Sequence, residues 1–203
     1  MKPQIIRTLH AGKGFQSSVY EVEFRGQRAA MKDFSRAPFW FKTLVAPILV
    51  SREIKALRHL KGAPHVPQFL GRVSRVAFVM ELVEGKSLDK FHKGEVGPEI
   101  FEKMQGAIDE IHARGVAHGD IKRRSNLILD EKTGQIWIID FAAAIVGKGA
   151  ISKKLMRAVA EVDDKSVPRM KKLVAPELLS EADKWRLENP TSLEKWAKKL
   201  LGR

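Results

Sequence analysis

Residues 118–126 read His118-Gly119-Asp120-Ile121-Lys122-Arg123-Arg124-Ser125-Asn126, and Asp140-Phe141-Ala142 follows at short range. An aspartate, a lysine, an asparagine and a second aspartate thus stand in a fixed order. Phosphoryl transfer from a magnesium nucleotide asks for that inventory. One carboxylate orients the attacking hydroxyl, a cation neutralises the moving phosphate, and an Asn/Asp pair supplies hard oxygens for the metal. One such string arises easily by chance, so its weight depends on what stands upstream to hold a nucleotide.

Upstream, Gly12-Lys13-Gly14-Phe15-Gln16-Ser17-Ser18-Val19 separates two alternating stretches, Gln4 to His10 and Val19 to Phe24. In the second, Val19, Glu21 and Glu23 share one face and Tyr20, Val22 and Phe24 the other, the period of a strand. A glycine-rich turn between strands lets backbone N–H groups approach phosphates without interference from Cβ, although an ordinary hairpin has the same look. The next apolar stretch, Arg28 to Phe34, contains Ala30-Met31-Lys32, a lysine that on an edge strand would merely snorkel. Residues 51–60 carry apolar side chains at 54, 57 and 60, a helical stripe with Ser51 as N-cap and Gly62 and Pro64 as its stop. Glu53 in its first turn suits the helix dipole and equally suits a partner for Lys32. Val66 to Val73 and Val76 to Met80 read as a strand pair. An extended connector follows, Glu81-Leu82-Val83-Glu84-Gly85-Lys86-Ser87-Leu88.

Five motifs in this order, from about Ile5 to Ala142, resemble the protein-kinase-like superfamily, and within it the compact bacterial kinases near the RIO and lipopolysaccharide-kinase families, which share the H-G-D loop. The resemblance implies an α+β, bilobal fold. Residues 1–83 would form an antiparallel-sheet N-lobe, and residues 84–203 a shortened, mostly helical C-lobe. ATP and Mg2+ would lie between them. It also implies roles. Asp120 would orient the acceptor hydroxyl, and Lys122 would stabilise charge on the moving phosphoryl. Asn126 and Asp140 would hold magnesium. Gly12, Gly14, Ser17 and Val19 would cover the phosphates, with Lys32 clamping them and Glu53 holding Lys32. Met80 would be the gatekeeper, with main-chain contacts to adenine from Glu81 and Val83. His118 would pack and hydrogen-bond within the loop, and Phe141 would be core.

Three positions depart from the family pattern. Asn126 lies six residues after Asp120 instead of five, so either the loop bulges at Arg123-Arg124 or the asparagine is recruited differently. Ala142 replaces a glycine, which should restrict flipping of that segment because alanine disfavours positive φ. Ser17 replaces the third glycine of the loop. No charged group is lost, which favours an active enzyme over a pseudokinase scaffold. The D-x-K spacing of Asp120 and Lys122 tilts the acceptor towards Ser/Thr of a protein, with a sugar of an envelope glycolipid as the alternative.

Beyond Ala142 the likeness thins. Ala175-Pro176-Glu177 spells the end of a kinase activation segment, yet only 26 residues follow it. Pro176 is therefore expected to open a helix, where its missing N–H costs nothing. Ile151 to Val174, apolar at 155, 156, 159 and 162, reads as helix. Asn189-Pro190 precedes a final amphipathic helix, Leu193 to Leu201. No phosphorylated activation loop is expected.

Lys and Arg number 37 against 24 Asp and Glu, a formal net charge of +13, which attracts polyanions. The cations are scattered and no aromatic-interleaved motif emerges, which disfavours nucleic acid relative to an anionic membrane surface. Residues 38–50 form an apolar insert with one lysine, too short for a bilayer, which needs about 20 residues. It is expected to pack on the N-lobe as a short helix, with seating in a membrane interface or carriage of a lipid-like substrate or partner as the alternatives. The absence of cysteine and of an apolar leader in residues 1–10 points to a cytoplasmic protein, with peripheral seating at the inner face of a membrane left open by the insert.

Overall fold

The computed structural model describes residues 2–200. β1 (Gln4–His10), β2 (Ser18–Phe24) and β3 (Gln27–Asp33) form an antiparallel meander. Arg25 and Gly26 join β2 to β3 with both φ positive, 56° and 79°, the two-residue turn whose twist matches that of the strands. α1 (Phe39–Leu44) and α2 (Ala46–His59) follow. β4 (Phe69–Arg72) and β5 (Ala77–Glu81) complete a five-stranded sheet in the order β1-β2-β3-β5-β4.

Two expectations change in this region. α2 starts at Ala46 rather than behind Ser51, because Pro47 occupies its first turn, where proline is pre-organised for helix. Ser51 is therefore an exposed interior residue and not a cap. The apolar insert is α1 plus the first turn of α2. Ala46 and Val50 are buried and Phe41 and Leu49 lean on the core, but Phe39, Trp40, Leu44 and Ile48 face solvent.

The chain continues through β6 (Lys86–Ser87), α3 (Pro98–Ala113), β7 (Val116–Ala117), β8 (Leu127–Asp130), β9 (Gln135–Ile138) and β10 (Ile145–Val146). β6, β8 and β9 make a small antiparallel sheet, and β10 pairs with β7. α3 buries Ile100, Phe101, Met104, Ala107, Ile108 and Ile111, a stripe at helical spacing. One core runs from under the large sheet (Ile54, Leu57, Phe78) to Leu127, Ile138 and Phe141, and on to Met170. The opposite face of the sheet has its own cluster of Tyr20, Val22, Phe24, Met31 and Val79. The fold is α+β, with an antiparallel-sheet N-terminal part and a largely helical C-terminal part.

α4 (Ala150–Asp163), α5 (Ser166–Val174), α6 (Glu181–Glu188) and α7 (Ser192–Leu200) close the chain. The helix expected over 151–174 is thus two helices, broken at Asp164-Lys165, with Pro168 in the first turn of α5. Pro176 opens only a 3-10 turn, Pro176–Leu178. The next α-helix begins behind Ser180, whose Oγ accepts from Asp183 N (3.1 Å) while Asp183 Oδ2 accepts from Ser180 N (3.1 Å), a reciprocal cap. The expected end of the last helix at Leu201 lies outside the described residues.

α7 is anchored by Glu194, which accepts from Lys165 Nζ (2.7 Å) and Thr191 N (2.7 Å). The Lys165 ammonium first, and then the Thr191 N–H, hold its carboxyl down to about 2. A depressed carboxyl contributes stability that is complete above its ordinary value of 4.5 and disappears as the pH falls towards 2. Glu194 is 40% exposed, so solvent screens much of that contribution. Glu194→Gln should therefore lower the melting temperature modestly at neutral pH, with the difference from wild type shrinking as the pH is taken down through that window.

Candidate active site

β3 places Lys32 opposite Phe78 on the inner face of the large sheet, and α2 packs Glu53 beneath it. Lys32 Nζ lies 2.8 and 3.1 Å from the two Glu53 oxygens and 2.7 Å from Asp140 Oδ1. Lys32 and Glu53 are almost wholly buried. Burial pulls the Lys32 ammonium down, but the Glu53 and Asp140 carboxylates outweigh it and leave its pKa raised. Burial also lifts Glu53, with Lys32 opposing. Asp140 is pushed up by burial and pulled further down by Lys32, so that its net shift is downward. One cation is thus shared by two carboxylates, one deep and one facing the cleft.

Asp140 has φ 66° and ψ 69°, and its side chain caps the 3-10 turn Phe141–Ala143. The left-handed residue is therefore Asp140 itself. Ala142 sits inside the turn, so the expected conflict between alanine and positive φ at position 142 does not arise. Phe141 is fully buried, and its N–H donates to Glu53 Oε1 (3.2 Å). This bond ties the Asp140 segment to α2.

The loop around Asp120 is built on buried His118. Its Nε2–H donates to the Ile139 carbonyl (2.9 Å), and its Nδ1 accepts from Asp120 N (3.2 Å), a tautomer assigned from these partners. Burial holds this imidazole below its ordinary pKa. Its ring meets Phe141 edge-on at 4.7 Å. Asn126 Nδ2 donates to the Asp120 carbonyl (3.0 Å), and Asn126 ends the 3-10 turn Arg124–Asn126. Asn126 is buried within the site. Arg123 Nε lies 3.1 Å from Asp120 Oδ2. Lys122 is exposed and makes no ion pair among the described residues.

The glycine loop joins β1 to β2, whose Val19 pairs with Lys32. Gly12 N–H donates to Ser18 Oγ (3.2 Å), and a Cβ at Gly12 would come within 2.5 Å of the Gln16 and Ser17 carbonyl oxygens. Gly14 has φ 60°, and Ser17 is half-buried. Val19 packs on the main core, and buried Met80 pairs with Ala30. Glu81 N donates to the Gln68 carbonyl (2.8 Å), whereas the N–H and C=O of Val83 enter no backbone bond among the described residues.

A protein kinase domain model matches residues 6–188. The chain belongs to the protein kinase family. Among similar kinases, CBL-interacting serine/threonine-protein kinase 20 of Arabidopsis thaliana is 39% identical over 100 residues, covering 45% of this chain and 22% of that protein. The putative CBL-interacting protein kinase 13 of Oryza sativa subsp. japonica is 32% identical over 149 residues, 68% of this chain and 28% of its own. CBL-interacting serine/threonine-protein kinase 21 of Arabidopsis thaliana is 30% identical over 155 residues, 72% of this chain and 36% of its own. The chain thus spans only between 22% and 36% of the length of these relatives.

Two residues of this kinase site escaped the sequence. Arg123 is one, hidden inside a run of cations. The other is Asp163 in the last turn of α4, fully buried, which accepts from His118 N (2.7 Å), Gly119 N (2.9 Å) and His112 Nε2 (3.3 Å). An acid in the last turn of a helix opposes the macrodipole, and that anomaly was the available signal. Asp163→Ala would orphan two buried N–H groups at about 1–3 kcal/mol each. It should cost about 2–4 kcal/mol in urea unfolding and loosen the loop carrying Asp120.

Proposed function

We propose that this chain is an ATP-dependent serine/threonine kinase that moves the γ-phosphate of ATP to a hydroxyl of a protein. The observation that carries the reading is Lys32 gripped between Glu53 and Asp140, beside a loop that binds Asp120 to Asn126. Within the described residues, the part up to residue 83 acts as the N-lobe and the part from residue 84 as the C-lobe. The H-G-D form of the loop supports a likeness to the compact bacterial RIO and lipopolysaccharide kinases. The cysteine-free sequence suits the cytoplasm.

Lys32 holds the nucleotide phosphates from one side, and the N–H groups of the Gly12 to Ser17 loop cover them from the other. The Val83 main chain and the Glu81 carbonyl read the adenine edge, with Met80 at the back. Asp120 orients the acceptor hydroxyl and takes up its proton late, while Lys122 offsets charge on the phosphoryl. Asp140 Oδ2 and Asn126 Oδ1 accept no hydrogen bond among the described residues. They are hard oxygens of the kind and number that Mg2+ takes from a protein when phosphates and water fill its other positions. Held by these two oxygens, Mg2+ would neutralise charge on the nucleotide's phosphates.

The test is incubation with magnesium and γ-labelled ATP, with a generic protein acceptor, followed by acid hydrolysis of the labelled protein. Label should appear in phosphoserine and phosphothreonine, and Asp120→Ala should reduce the rate by about 10²–10⁴, the usual weight of a positioned base. Nucleotide binding without label transfer by wild type would make the protein a scaffold. Label confined to a glycolipid fraction would move the acceptor to a sugar.

A further inference from the structure

α2 turns one face to the catalytic pair and the other to solvent, and the solvent face is unusual. From Phe34 to Met80 the chain carries eight Lys and Arg and a single carboxylate, Glu53, which is buried against Lys32. None of those eight cations joins a salt bridge among the described residues. Three of them, Lys55, Arg58 and Arg72, meet Lys148 in one groove of about 430 Å³, lined also by His59, Ser51 and Ile54. No acid lines it.

This groove is continuous with an apolar stripe. Ser51 and Lys55 also line the adjoining hollow with Pro47, Ile48 and Arg52. Ile48 is 59% exposed, Leu44 64%, Trp40 53% and Phe39 78%. Trp40 and Leu44 are one turn apart on α1. Val45 keeps helical dihedrals and accepts from Ile48 N and Leu49 N, so the stripe carries on into α2. Phe15, at the tip of the glycine loop, closes the far end with its ring 5.3 Å from Trp40.

We infer that this face seats the protein on an anionic lipid bilayer, with Phe39, Trp40, Leu44 and Ile48 in the acyl boundary and Arg52, Lys55, Arg58, Arg72 and Lys148 at the headgroup phosphates. Interfacial helices combine Trp, Phe and Leu on one side with Lys and Arg beside them, and each cation near an anionic surface adds to the attraction. No described helix is long and apolar enough to cross a membrane, so the contact is peripheral. A second copy of the chain fits the face poorly, because two-fold pairing would set unpaired cations against cations. The inference is independent of phosphotransfer, since it is read without nucleotide.

The experiment is co-sedimentation of the full chain with vesicles of phosphatidylethanolamine and phosphatidylglycerol, beside pure phosphatidylcholine. Binding should be at least tenfold tighter to the anionic vesicles and weaken with salt. Phe39→Ser/Trp40→Ser/Leu44→Ser and Lys55→Glu/Arg58→Glu should each lose at least tenfold, while Lys93→Glu/Lys132→Glu, exposed elsewhere, should bind like wild type. Melting curves establish that each variant is folded, and a variant that fails this check is replaced by Leu44→Gln or Lys55→Gln alone, expected to lose severalfold. Equal loss in all charge variants, or full binding by the apolar variant, would reduce the effect to net charge and overturn the assignment. Absence of vesicle binding together with a dimer that the apolar substitutions dissociate would overturn it in favour of self-association.

Discussion

Lys32→Met should unfold at a markedly lower urea concentration than wild type and lose phosphotransfer, whereas Lys32→Met/Glu53→Gln should regain most of the stability and none of the activity. Glu53 is 1% exposed and its partners are Lys32 and the Phe141 N–H. Removing the ammonium strands a buried carboxylate, a change that typically costs about 3–5 kcal/mol. Glutamine keeps an oxygen for Phe141 N–H without the charge, so most of that cost disappears in the double variant. The single variant also carries a pH signature. Burial already raises the Glu53 carboxyl, and loss of Lys32 removes the main influence opposing it. A carboxyl whose folded pKa lies above its unfolded value gives stability that is complete below the unfolded pKa and is lost as pH rises through the folded one. Lys32→Met should therefore become relatively more stable on mild acidification, in the opposite sense to Glu194. Wild-type stability in Lys32→Met at neutral pH would refute the buried pair as a structural element.

The parts legible in the sequence were those whose signal is local. Period-two alternation located β2, an apolar run marked β3, and the order of the glycine turn, Lys32, Glu53, Asp120 and Asp140 identified the arrangement. The start of α2 was misjudged because Ser51 is a good cap and Pro47 an equally good first-turn residue, and local propensity cannot rank them. Tertiary packing does so by burying Ala46 and Val50. The break between α4 and α5 was legible and overlooked: the polar run Asp163-Asp164-Lys165-Ser166 interrupts the apolar spacing, and Pro168 follows it. The role of Asp163 depends on a contact 44 and 45 residues distant in sequence, which no periodicity records. The solvent-facing stripe on α1 and α2 shows the converse. Composition marked the insert as apolar, but only the fold tells which of its side chains the core leaves outside.

Asp140→Asn and Asp140→Ala should both lower phosphotransfer by about 10³ or more, the scale at which preorganised charge at a phosphoryl centre contributes. They should differ in stability. Asp140 is held at φ 66° and caps the Phe141–Ala143 turn through its carboxylate. Asparagine tolerates the left-handed region and offers the same capping oxygen, so it removes the charge and little else. Alanine loses the cap and bears a left-handed cost of about 1–2 kcal/mol. Neither substitution strands Lys32, which keeps Glu53 at 2.8 Å. Urea unfolding should therefore place Asp140→Asn near wild type and Asp140→Ala below it, with equal loss of label transfer. In both variants binding of ATP should lose its dependence on magnesium while magnesium-free binding persists. If Asp140→Asn transferred phosphate within tenfold of wild type, the cleft-facing carboxylate would be a structural cap and the metal site would have to be sought elsewhere.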